Sequence, residues 1–138
     1  MYASAEGVAK GGYVLAESDG GAPQVVLLSS GSEVALIVAA REKLQASGVR
    51  TRVVSMPSHE LFAEQSKEYR DSVLPPDVPR VSIEAAHTMS WYRWVGSNGA
   101  VMGIDRYGAS APYETIYTEL GLTVEKIVHA VQEVMIVH

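Results

Sequence analysis

The stretch "QVVLLS", Gln24 to Ser29, is an apolar run bounded by Pro23 on one side and a Ser/Gly turn on the other. A run of this length without polar alternation predicts a strand buried on both faces, which requires layers above and below a sheet. A helical pattern follows over Glu33 to Ala46, with Val34, Ile37, Val38 and Leu44 on one face and Gly48 as its stop. Further strands are expected at Tyr13 to Glu17, Arg52 to Met56, Val81 to Glu84 and Ala100 to Ile104. Ser58 to Asp77 reads as one or two short helices, ended by "LPPDVP". Pro112 to Leu120 reads as a helix stopping at Gly121. Thr123 offers an N-cap for a last helix in which Val124, Ile127, Val128, Val131 and Val134 recur at helical spacing. The alternation predicts an α/β domain with a largely parallel sheet of five strands and helices on both faces.

Composition narrows the class of partner. The chain has 138 residues, a formal charge of −5 and no concentration of basic residues, which argues against nucleic acid or an anionic membrane. It contains no cysteine, so disulfide and thiolate chemistry are excluded, and a reducing, cytoplasmic setting is expected. Met1 to Lys10 is polar, lacks the apolar core of a signal peptide, and reads as a linker remnant ahead of a domain over 11–138. The longest purely apolar run, Val34 to Ala40, is far too short to span a bilayer.

The turn Ser30-Gly31-Ser32 raises the question of a phosphate site, because a strand-to-helix turn presents free N–H groups and the positive end of a helix dipole. It has neither the lysine and second glycine of a Walker loop nor the three spaced glycines of a dinucleotide fingerprint. Glu33 also puts a carboxylate where an anion would approach. A capping box of Ser30 with Glu33 accounts for the same residues, and an anion site at Ser30, Gly31 and Ser32 stands as the alternative. The four histidines, His59, His87, His129 and His138, have no partner at metal-ligand spacing. His87 with Glu84 reads as a local pair at a strand end. "HTMSWYRWVG" places Trp91, Tyr92 and Trp94 around Arg93, a cluster expected in the core or at an interface rather than on a ligand, with a domain interface the expectation for Trp91, Tyr92 and Trp94.

One segment, "GIDRYGASAP" at Gly103 to Pro112, has no explanation in periodicity, and it resembles a signature of the C-terminal domain of the transketolase family. "GGYVL" (Gly11 to Leu15), "SSGSEVALIVAAREKL" (Ser29 to Leu44), "VRTRVVSMPS" (Val49 to Ser58), "EYRDSVLP" (Glu68 to Pro75) and "GLTVEKIV" (Gly121 to Val128) agree in the same order. The resemblance covers nearly the whole chain from Gly11 onward. The similar terminal domains of 2-oxo acid dehydrogenase β subunits and deoxyxylulose phosphate synthases usually differ at "RYGASAP". Tyr107 stands where the family commonly has phenylalanine, and Ala86-His87 lies in a stretch that varies among relatives.

The resemblance implies a three-layer α/β/α domain whose five-stranded mixed sheet has one antiparallel edge strand at Tyr13 to Glu17. It implies a parent enzyme, a homodimer of the pentose phosphate pathway, that moves a two-carbon ketol unit from a ketose phosphate to an aldose phosphate. Thiamine diphosphate and magnesium serve that chemistry in the family. The family's cofactor motif, from Gly-Asp-Gly to an Asn-Asn pair, is missing: Asn98 is the sole asparagine, and "SDGG" at Ser18 to Gly21 is the nearest approach. No catalytic, cofactor-binding or metal-binding residue is therefore expected on this chain. Its expected partners are the two preceding domains. The other reading is a stand-alone or regulatory anion- or nucleotide-binding module using the Ser30 to Ser32 turn, with Gly108 to Ser110 as a second strand-end turn.

Overall fold

The computed structural model describes residues 10–29, 34–83, 94, 100–102 and 123–137. Five strands form one sheet: β1 (Tyr13–Ala16), β2 (Val25–Ser29), β3 (Thr51–Ser55), β4 (Arg80–Ile83) and β5 (Ala100–Met102). Their spatial order is β1-β3-β2-β4-β5, with β1 antiparallel to β3 and every other pairing parallel. The described helices are α1 (Val34–Ala46), α2 (His59–Ala63), α3 (Lys67–Val73) and α4 (Val124–Val137). The antiparallel edge strand and the mostly parallel sheet agree with the expected fold. Glu33, the helix expected at Pro112 to Leu120, and the end of the last strand at Gly103 and Ile104 lie outside the described residues.

Strand β2 is the middle of the sheet, and all five of its residues are fully buried. Alternation along it feeds two separate cores. Val25 and Leu27 join Val53, Val81 and Ile83 against Ile37, Ala40 and Leu44 of α1 and Ile127, Val131 and Val134 of α4. Val26 and Leu28 face the other way, with Val54, Met56, Phe62 of α2, Val73 of α3, Leu74 and Trp94. Each such side chain taken fully out of water contributes on the order of 1.5–3 kcal/mol before entropy is counted. The layers are thus α1 and α4, the sheet, then α2 and α3.

Helix ends follow local chemistry. Ser58 and Ser66 cap α2 and α3 by accepting from the Leu61 and Tyr69 amides at 3.2 and 3.1 Å. Thr123 Oγ1 accepts from the Lys126 amide at 3.2 Å, the N-cap read from the sequence. Gly48, at φ 94°, ends α1, and the Val49 amide returns to the Leu44 carbonyl at 2.9 Å. The buried stripe of α1 differs from expectation. It runs through Ile37, Ala40, Arg41 and Leu44, while Val34 and Val38 are half-buried.

Arg41 is buried because it has a partner. Its Nε and Nη2 both donate to the Glu17 carbonyl, Nε at 3.2 Å. The Glu17 side chain points to the opposite layer, where its two oxygens accept from Arg52 Nε and Nη2 at 2.8 and 2.9 Å. Arg52 Nη1 donates to the Ser72 and Val73 carbonyls at the end of α3, at 2.8 and 3.0 Å. A bulge makes this geometry available. The register of β1 against β3 slips between Val14 and Ala16, so Leu15 and Ala16 both pack on the α1/α4 side. The following residue, Glu17, then turns toward α3. Ser18 to Gly21 forms the turn after it, closed by Ser18 Oγ donating to the Gly21 carbonyl at 2.7 Å.

Two predictions follow from these contacts. Partial burial alone raises the Glu17 pKa, but the Arg52 hydrogen bonds, the Ser18 amide and the Arg52 charge outweigh it and hold the carboxyl below its ordinary value. The unfolded chain therefore takes up this proton first as pH falls. The stabilisation is complete above about pH 4.3 and is lost as pH drops through the lower folded value. Urea unfolding of Glu17→Gln should show a shallower loss of stability on acidification than the parent chain. Gly11, at φ 83°, leaves no room for a side chain: a Cβ would lie 2.4 Å from both the Phe62 nitrogen and the Ser58 oxygen. Gly11→Ala is expected to cost more than about 2 kcal/mol in the same measurement.

Candidate functional site

The parallel strands β2 and β4 are neighbours, yet the chain leaves β2 toward β3 on one side and β4 toward β5 on the other. Open α/β sheets place ligands outside the C-terminal ends of strands at such a switch point. Ser29 ends β2 there, fully buried. The turn Ser30, Gly31, Ser32 lies outside the described residues, as do Glu84, His87, Trp91, Tyr92, Arg93 and the segment Gly108 to Ser110.

Trp94, read from sequence as core or interface, lies in the core of this chain, 5% exposed. Its ring meets Phe62 edge-on at 5.1 Å between centroids, and its Nε1 donates to His59 Nδ1 at 3.1 Å. Phe62 in turn meets Tyr69 at 6.1 Å. The Tyr69 hydroxyl donates to the Gly12 carbonyl at 2.8 Å, and burial raises its pKa. His129 lies elsewhere, on the exposed face of α4, 3.6 Å from Glu133.

Beside this aromatic cluster is a cavity of about 190 Å³ lined by Phe62, Arg70, Asp71, Leu74, Arg80 and Trp94. Sequence reasoning passed over its charged residues, because "EYRDSVLPPDVPR" shows only a polar helix and a proline break. Arg70 and Asp71 come from the last turn of α3, and Arg80 opens β4. Arg80 is an anchor: it donates to the carbonyls of Leu74 at 2.9 Å, Pro75 at 3.0 Å and Trp94 at 2.5 Å. Burial draws its pKa down, and the charge of Asp71 opposes that shift. Asp71 is itself paired with Lys67 at 2.7 Å. Arg70 differs, since its buried Nε has no hydrogen-bond partner. The arrangement sets two arginines and one carboxylate around a single cavity.

Among the described residues no three His, Cys, Asp or Glu side chains are grouped so as to hold a metal ion. A magnesium–diphosphate group, which needs several oxygen donors, does not fit this set. Replacing Arg80 with methionine keeps the apolar stem and deprives three carbonyls of a donor. Arg80→Met should lose about 1–3 kcal/mol in urea unfolding, and Arg80→Lys should recover little, because one ammonium cannot fork across three acceptors.

Comparison with known proteins places this architecture. Residues 11–123 match the family described as "Transketolase-like TK C-terminal domain". A chloroplastic transketolase of Craterostigma plantagineum is 53% identical over 134 residues, covering 96% of this chain and 26% of its own. Transketolase of Geobacillus stearothermophilus is 50% identical over 124 residues, 89% of this chain and 19% of that one. The solved transketolase from Leishmania mexicana superimposes with a TM-score of 0.83 at 39% identity, over 96% of this chain and 19% of its own. The chain thus spans about a fifth to a quarter of the length of these relatives. They leave the alternative of a stand-alone anion or nucleotide module without support. Collinear motifs, sheet order and the antiparallel edge strand converge with these matches: the chain belongs to the transketolase family and corresponds to its C-terminal domain.

Proposed function

We propose that this chain is the non-catalytic terminal domain of a thiamine-diphosphate- and magnesium-dependent transferase, one that moves a two-carbon ketol unit from a ketose phosphate to an aldose phosphate. The observation that carries the reading is the match over residues 11–123 by a chain that spans about a fifth of most of these relatives. On this reading the coenzyme, when bound by the parent enzyme, supplies the carbanion chemistry, and residues elsewhere hold it. The partners are the two preceding domains, within a cytoplasmic homodimer of the pentose phosphate pathway. Among the described residues no helix is long and apolar enough to cross a membrane.

The domain's own contribution is support. Residues 1–10 act as the link from the preceding domain and 11–138 as the folded unit. The point of entry is fastened to the α2/α3 layer. Lys10 Nζ lies 4.4 Å from the Tyr69 ring centroid, the Ser58 amide donates to the Gly11 carbonyl at 3.0 Å, and Tyr69 holds the Gly12 carbonyl.

The test is a two-part assay on the purified chain. Calorimetric titration with thiamine diphosphate plus magnesium should give no saturable heat. A ketose phosphate and aldose phosphate pair should not be turned over, whereas the full-length parent protein should do both. Turnover by the 138-residue chain would overturn the proposal.

A further inference from the structure

Among the described residues one large hydrophobic side chain stands exposed, Leu61 on α2, at 41%. A lone exposed leucine is ordinary on a protein surface. Its position is not. A Cβ on Gly11 would meet the Leu61 Cβ at 2.7 Å, so the leucine lies against the backbone by which the chain comes into the domain. Behind it Phe62 is fully buried over Gly12, and Lys10 of the incoming segment lies over the Tyr69 ring.

Strand β1 starts at the same point. It is the outermost strand of the sheet, and no described strand pairs with its free edge. Its first three residues, Tyr13, Val14 and Leu15, are uncharged and only half-buried. Sheets guard a free edge with charges, prolines or bulges, and here the slipped register at Leu15 is the guard that the described residues supply. Glu60 and Glu64 of α2 and Lys10 are exposed and give the spot a polar rim. An apolar centre inside a charged rim is the anatomy of a contact between folded domains.

We propose that Leu61 and the free edge of β1 form the seat of the domain that precedes this one in the polypeptide. The assignment rests on the reading of the chain as a terminal domain, and not on ketol transfer. Two observations favour this occupant over a second copy or a separate protein. The chain covers about a fifth of most relatives it matches, and the matched family is a C-terminal domain, so in those relatives the bulk of the polypeptide lies upstream. Residues 1–10, fully extended, span at most about 35 Å, which holds an upstream domain at high local concentration beside Leu61.

Hydroxyl-radical footprinting reads this contact in intact proteins. Leu61 is oxidised in the 138-residue chain and in the full-length parent, with His129 on the opposite layer as internal reference. Relative to His129, Leu61 should be labelled about threefold or more slowly in the parent. Amide exchange over Tyr13 to Leu15 should slow about tenfold there, and Leu61→Asp in the parent should return it to the rate of the chain alone. Equal labelling of Leu61 in chain and parent would overturn the proposal, whether or not the parent transfers a ketol unit. Protection that grows with the concentration of the 138-residue chain by itself would give the face to a second copy and overturn it too. A parent that protects Leu61 but transfers no ketol unit would support the seat and sink the transferase reading.

Discussion

A strand with no exposed residue dictates the rest of the molecule. Every side chain of β2, Val25 to Ser29, is cut off from solvent, so both faces of the sheet need a cover. Parallel pairing with β3 and β4 supplies the edges, and the crossovers supply α1 on one face and α2 with α3 on the other. The antiparallel β1 is then the cheapest way to finish the β3 edge, since it needs no crossover helix. Hydrophobic burial sets this arrangement, but it is not directional. Orientation between the layers comes from hydrogen bonds at a few points, chiefly Glu17.

Glu17 links three layers through one residue. Its carbonyl takes Arg41 from α1, and its carboxylate takes Arg52, which also closes the end of α3. This was not legible in the sequence. Periodicity put Val34 and Val38 on the buried face of α1, whereas the helix is turned so that Arg41 is inside and those valines are half-buried. Nothing local to Arg41 indicates an acceptor 24 positions away. Nor does alternation along β1 bring Glu17 to the side of Arg52; only the slipped register does. Long-range pairing of charged residues across a bulge carries no periodic signal, which is why pattern reading missed it.

The features that were legible are those set by neighbours in the chain. The apolar run of β2, the Gly48 stop of α1 and the Thr123 cap of α4 depend on residues within a turn or two of themselves. The antiparallel edge strand was legible only through resemblance to a family. Trp94 lies between these cases. Its place beside Arg93 and two other aromatics favoured a domain contact, and it is the ring of Phe62, together with His59 35 positions away, that seats it in the core of this chain. The cavity next to it was invisible for the same reason. Arg70 and Arg80 meet through the fold of a proline-broken connection, not through any spacing.

Four arginines in this chain differ in how far the fold supplies their acceptors. Arg41, Arg52 and Arg80 each donate to carbonyls the fold provides, and each joins separate elements of the chain. Arg70 comes from the same short helix whose end Arg52 and Arg80 close, yet its Nε has no acceptor. The same holds for the buried hydroxyls of Ser29 and Ser82, on the neighbouring strands β2 and β4. One ring both walls the cavity and fills the space over Gly12, where a Cβ would come within 2.8 Å of it. A side chain added at Gly12 would therefore have to displace the ring that also packs on Tyr69 and Trp94, so the approach to β1 and the aromatic cluster are coupled.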